Sequence, residues 1–187
     1  MRELSLHILD IVQNSITAQA KLITVEIIED IPSNLLKITI SDDGKGMDAE
    51  TLKKVNESFT SSRTTRKTGM GIALFRAAAE LAGGGLSLES EPGKGTVTTA
   101  VFEHGNIDRM PIGNMSETMV MLVMKAADID FIYRHIYNGN VFEFSTKEIK
   151  DVLEGAPIDD YEVLQYIQNY IHENLTELFG GTRDEIS

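Results

Sequence analysis

Asp10-Ile11-Val12-Gln13-Asn14-Ser15-Ile16-Thr17-Ala18 is the run from which the fold of this 187-residue chain is read. Asp10 and Asn14 are four residues apart, so on a helix they share one face, which suits a site holding water and a metal side by side. Downstream, Asp42-Asp43-Gly44-Lys45-Gly46 sets an aspartate before two glycines that let backbone approach a flat ligand. Gly69-Met70-Gly71 then opens an apolar helix, whose bare N–H groups form an anion site at its N-terminus. In this order the three segments describe a magnesium–ATP pocket.

The segments between them supply the supporting elements. Leu6, Leu9, Ile11, Val12 and Ile16 fall at helical spacing over residues 4 to 18, which leaves His7, Asp10 and Asn14 on another face. Residues 23–27 and 36–40 alternate with period two around Ile31-Pro32-Ser33-Asn34, a hairpin signal, and the second strand delivers Asp42 at its end. Asp48 is placed as the N-cap of a short helix running to Asn56. Residues 60–68 are polar and short of apolar anchors. A helix over 71–82 is stopped by Gly83-Gly84-Gly85, and strands 86–90 and 96–103 enclose the turn Glu91-Pro92-Gly93-Lys94-Gly95.

After Gly105 the character changes. Residues 108–114 form a turn-rich joint, 115–127 read as a helix with four methionines, and 131–137 and 141–144 read as a hairpin around Asn138-Gly139-Asn140. Helices follow over 146–153 and 161–179, the latter with Leu164, Ile167, Ile171, Leu175 and Leu178 on one stripe. The chain divides into residues 1–105, carrying the pocket, and 106–187, an acidic accessory lobe whose stripe packs on the sheet or seeks a partner protein or a second copy.

Composition narrows the classes. A hydrophobic content of 42% is that of a globular protein, and the absence of cysteine excludes disulfides and thiol catalysis. No apolar run approaches the roughly 18 residues that span a bilayer, so a soluble protein with no membrane contact is expected, and the absence of cysteine fits a reducing cytoplasm. Of the formal charge of -12, residues 1–105 hold 11 Lys+Arg against 14 Asp+Glu, and residues 106–187 hold 6 against 15. A lobe with nine excess negative charges repels phosphate backbones, so nucleic acid is not the expected partner.

The order of segments resembles the ATPase superfamily of gyrase B, the MutL mismatch-repair proteins, the heat-shock chaperone of the same fold and the sensor histidine kinases. It covers roughly residues 3 to 103, with Asp10 to Ala18 as the N box, Asp42 to Gly46 as the G1 box, Gly69 to Leu74 as the G2 box and Gly93-Lys94-Gly95-Thr96 as the last. The resemblance implies an α+β fold: a two-layer α/β sandwich of the Bergerat type, here with a C-terminal α+β extension. It also implies that Asn14 binds magnesium, that Asp42 reads adenine, that Thr96 helps through a water, and that residues 60–68, with Arg63, Arg66 and Lys67, form an ATP lid. A Rossmann fingerprint fails because Gly69 follows a polar segment and Leu74 stands at the third glycine. A P-loop fails because no Gly-Lys-Ser or Gly-Lys-Thr occurs.

Asp10 stands where gyrase-like and MutL-like members carry the glutamate that activates water, one methylene shorter. A general base must reach its proton directly or through one water, so the change bears on hydrolysis more than on binding. Thr17 likewise replaces an acid common in those members. Few residues precede the N box, so the phosphoacceptor helices of a sensor kinase are not expected. Three roles remain open for a protein binding ATP or ADP: a regulatory ATPase or switch, a kinase of the anti-sigma serine kinase type acting on a partner, and a non-catalytic ATP-binding module.

Overall fold

β1 (Leu22–Asp30) is the strand around which the rest is arranged. Its residues alternate, so Ile23, Val25 and Ile27 point to one buried face while Thr24, Glu26 and Ile28 face outward half-exposed. A computed structural model of the chain, which describes residues 3–58 and 70–181, pairs β1 antiparallel with β2 (Leu35–Asp42), Val25 opposite Ile40. Asn34, at φ 52°, closes the connecting turn, and Asp30 accepts the Ser33 hydroxyl at 2.7 Å.

The sheet continues through β4 (Gly95–Glu103) to β3 (Gly85–Glu91), both antiparallel. On the other side of β1 lies β5 (Asp130–Tyr137), parallel to it, and then β6 (Asn140–Ser145). The strand order β3-β4-β2-β1-β5-β6 makes one mixed six-stranded sheet to which residues on both sides of Gly105 contribute. The fold is α+β.

Helices cover the buried face. They are α1 (Leu4–Thr17), α2 (Ala49–Ser58), α3 (Met70–Leu81), α4 (Met115–Lys125), α5 (Thr146–Val152) and α6 (Tyr161–Leu178). Asp48 caps α2 as expected, accepting from Thr51 N–H at 2.7 Å; Asn114 and Asp160 cap α4 and α6 in the same manner. α1 receives a different cap: Leu4 and Ser5 donate their N–H groups to the carbonyls of Pro111 and Ile112 at 2.9 and 2.8 Å. The joint at 108–114 thus satisfies orphan donors of the first helix.

The apolar stripe of α6 closes on the core. Leu164, Ile167, Ile171 and Leu175 are buried, and Leu178 is half-buried. Tyr133, Phe131 and Phe144 fill the facing layer of β5 and β6. Glu29 continues the inward alternation of β1 and is fully buried. Its carboxylate oxygens bind His135 Nε2 at 2.9 Å and His104 Nε2 at 2.8 Å, and His135 Nδ1 meets the Tyr133 hydroxyl at 2.7 Å. One buried acid therefore joins β1 to β5 and to the residue just after β4, with polar needs met inside the core.

Candidate functional site

The ends of β2 and β4 meet the last turns of α1 around a cavity of about 240 Å³. Ile11, Met47, Val55, Ile72 and Leu88 give it apolar walls, interrupted by Asn14, Ser15, Asp42, Lys45, Thr96 and Thr98. An apolar slot with a few placed polar groups is the usual form of a small-molecule site. Asn14, Asp42, Gly46 and Thr96 come from separate segments of the sequence and line this one space.

Asp42 is held from two sides. Ser15 donates its hydroxyl to Oδ2 at 2.6 Å and Gly44 donates its N–H to Oδ1 at 2.9 Å. Each carboxylate oxygen carries a further lone pair, so the group is oriented without being saturated. Ser15 was not singled out by sequence reasoning. Its spacing from Leu4, Ile8, Ile11 and Val12 places it on the buried side of α1, and that inward position is the only local signal it gives.

The glycines act mainly on other backbone. Gly46 has φ +65°, and a Cβ there would collide with the Glu91 carbonyl; Gly95, at φ +98°, would collide with the Asp42 carbonyl. A Cβ at Gly44 would lie 2.9 Å from both the Cβ and the carbonyl oxygen of Ala18. Sequence reasoning had Gly44 and Gly46 yielding room to the base. Here they let the segment after β2 pass between the end of α1 and the β3–β4 turn. That crossing is fixed by Lys45 N–H to Ala18 O at 2.9 Å, Gly93 N–H to Lys45 O at 2.8 Å and Met47 N–H to Ser90 Oγ at 2.8 Å. Ser90 gives its own hydrogen to the Gly95 carbonyl, so Thr96, 2.9 Å away, donates to Ser90 and keeps its oxygen free to accept.

Asp10 and Asn14 are both exposed on α1. Asp10 lies against the first turn of α3, where a Cβ on Gly71 would fall 2.9 Å from the Asp10 Cβ. α3 has no acidic residue of its own in that turn, and the Asp10 carboxylate, whose Oδ2 lies 3.3 Å from the same Cβ position, is the negative charge beside it. Gly69 and Arg63, with the rest of the expected lid, lie outside the described residues.

His7 does not share the face of Asp10 and Asn14. It is buried, its ring stacked on Phe75 at 5.2 Å and 12°, with neither nitrogen hydrogen-bonded, while Leu6 is 41% exposed. The buried face of α1 runs through Leu4, Ile8, Ile11 and Val12, which shifts the stripe and turns His7 inward. Burial holds the imidazole below its usual value of 6.5, and the nearby Asp10 opposes that shift. Asp43 is exposed but engaged. Its Oδ1 accepts from Leu22 and Lys21 N–H at 2.9 and 2.7 Å, and the Leu22 bond leads in holding it below the usual 3.8.

A family model described as histidine kinase-, DNA gyrase B- and HSP90-like ATPase matches residues 2–106. An uncharacterized sensor-like histidine kinase of Rhizobium meliloti is 34% identical over 97 residues, 48% of this chain and 18% of the relative. The heme sensor protein HssS of Staphylococcus saprophyticus is 38% identical over 96 residues, 49% of this chain and 21% of its own length. The chain thus spans about a fifth or less of the curated relatives it matches. Among solved structures, the N-terminal domain of a DNA repair protein superposes with a TM-score of 0.51 at 18% identity, covering 76% of this chain and 52% of that one, a likeness of fold.

Proposed function

Because the chain belongs to the histidine kinase-, DNA gyrase B- and HSP90-like ATPase family, we propose that its cavity binds ATP and ADP with magnesium and that it works as a regulatory ATPase or switch in the cytoplasm. The observation that carries this reading is Asp42, oriented by Ser15 and Gly44 in an apolar slot that Thr96 and Asn14 also line. A carboxylate with free lone pairs there accepts from the adenine amino group.

The residues fit magnesium through one hard oxygen. Among the described residues no three His, Cys, Asp or Glu side chains converge as a ligand set. Asn14 would supply its amide oxygen, and the remaining positions would fall to phosphate oxygens and water. When bound, the ion screens the charge of the phosphates. Gly71 brings the first turn of α3 against Asp10, so phosphates at that turn would lie near the Asp10 carboxylate. Gly69 and Arg63 would complete the phosphate side.

Asp10 is the residue proposed to take a proton from water. Phosphoryl transfer to a partner, in the manner of an anti-sigma serine kinase, and nucleotide binding without chemistry are the alternatives. γ-Labelled ATP distinguishes the three: free phosphate marks a hydrolase, label on an added protein a kinase, and neither a binding module. Residues 106–187 are proposed to dock a partner protein or a second copy.

Titration calorimetry tests the site itself. Asp42→Asn is expected to weaken ATP and ADP by about 1 to 3 kcal/mol, because a mismatched amide then faces the adenine amino group. Unchanged affinity would remove the assignment. Asp10→Asn is expected to bind as the parent does and to lose hydrolysis; turnover at the parent rate would clear Asp10 of the role.

A further inference from the structure

β6 ends the sheet, and among the described residues it pairs with β5 alone. An outer strand leaves a row of N–H and C=O groups able to receive another strand. Both outer strands carry exposed residues, Ser87, Glu89 and Glu91 on β3 and Asn140, Val141 and Glu143 on β6; what distinguishes β6 is the helix beside it. Beside β6 runs α6. Its Tyr170 touches both Phe142 and Phe144, with ring centroids 6.0 and 6.5 Å apart, and Tyr166 stacks on Tyr170 at 6.0 Å and 19°. Tyr166 is 57% exposed, so the outer end of this aromatic wall is open to solvent.

The charge of this wall selects what it takes. Glu162, Tyr166, Tyr170, Glu173 and Glu177 follow one another at spacings of three and four on the exposed side of α6, forming a single stripe. The helix has three glutamates and neither lysine nor arginine. A second copy would set a lobe of 6 Lys+Arg and 15 Asp+Glu against its like, which disfavours self-pairing.

We propose that the β6 edge and the tyrosine–glutamate stripe of α6 form a docking groove for an extended, lysine- or arginine-rich segment of another protein, which adds to the sheet as a seventh strand. Main-chain bonds to β6 give affinity, and alternate side chains of the segment lie over α6. Cationic side chains there meet the faces of Tyr166 and Tyr170 with Glu162, Glu173 and Glu177 around them. The inference sharpens the docking role proposed for residues 106–187 and does not depend on nucleotide binding.

The test uses the full chain and a nine-residue peptide of alternating lysine and valine, with a glutamate–valine peptide as its counterpart. Hydrogen exchange should show new protection over residues 140–145 with the lysine peptide alone. Of two peptides N-methylated on odd or even amides, one should fail and the other bind, since a strand offers only alternate N–H groups to its neighbour. Tyr166→Ala and Glu173→Lys, both at exposed positions, should each weaken binding at least about tenfold while leaving the unfolding transition in place. Equal binding of both methylated peptides, or of the glutamate peptide, would overturn the strand. Protection elsewhere in residues 106–187 would move the docking site without removing the docking role, and no binding of the peptide at millimolar concentration would end the proposal. Sedimentation showing a dimer that protects 140–145 without peptide would assign the edge to a second copy instead.

Discussion

Residues 4–103 and residues 108–179 build one sheet with different materials. In the first part the decisive contacts are backbone against backbone, Gly46 against Glu91 and Gly95 against Asp42. In the second they are side chain against side chain, with Ile167 and Ile171 of α6 in the same core as Tyr133 and Phe144. A pocket lined by crossing loops therefore depends on conformation that few residues adopt, and a packed lobe depends on volume. The two parts should fail differently under substitution.

Gly95→Ala should do the most damage. The new methyl group meets the Asp42 carbonyl at a positive φ, and neither backbone can retreat without opening the β2–β4 pairing. A loss of more than about 4 kcal/mol is expected in urea unfolding, from backbone strain and overpacking together. A loss under about 1 kcal/mol would show that the crossing is softer than its geometry indicates.

Ile167→Ala comes next. The side chain is fully buried, and its truncation should cost about 3 kcal/mol through lost burial and the cavity left behind. The contrast is sharpened by a second readout: nucleotide affinity should hold at temperatures where the variant is still folded. A single unfolding transition is expected, because β5 is hydrogen-bonded along the length of β1. Two transitions would show that residues 106–187 unfold on their own.

How much of this was legible in the sequence follows from the same contrast. The β1–β2 hairpin declared itself through period-two alternation on both sides of a short turn, and Asp42 through its place at a strand end. The parallel pairing of β1 with β5 did not, since Leu22 and Asp130 are far apart in the chain and no local pattern names a distant parallel neighbour. The hairpin at 131–144 was read correctly as a hairpin, yet its attachment to the first sheet was invisible. Periodicity alone set His7 with Asp10 and Asn14, because Leu6 and Leu9 offered an apolar stripe as regular as that of Leu4 and Ile8. Only packing against Phe75 decides between them. For Gly44 and Gly46 the residue type was informative, and the backbone crossing they also serve was not legible, because the chain that a missing Cβ makes room for lies elsewhere in the sequence.

Ser15→Ala belongs to the pocket but should behave more mildly than the glycine change. It removes the hydroxyl that orients Asp42 and leaves the backbone alone. A hydrogen bond to a charged acceptor is worth about 1.5 to 3 kcal/mol, so a stability loss near about 2 kcal/mol is expected. Adenine nucleotide affinity should fall with it, whereas Ile167→Ala spares affinity. If Ser15→Ala loses stability and binds as before, the serine supports the fold and not the site.

The smallest effect concerns His7, which lies between the pocket helix and α3 with both nitrogens unpaired. Its folded value lies below 6.5, so as pH falls through 6.5 the unfolded chain takes up a proton that the folded chain refuses. The stability tied to the neutral ring is complete above 6.5 and declines as pH falls toward the folded value, by at most about 1.4 kcal/mol per pH unit. His7→Phe keeps an aromatic ring against Phe75 and removes the proton site. Urea midpoints near pH 7.5 should be similar for the two proteins, and near pH 5.5 the variant should retain stability that the parent loses. Equal losses in both would place the acid sensitivity at other groups and leave His7 a packing residue only.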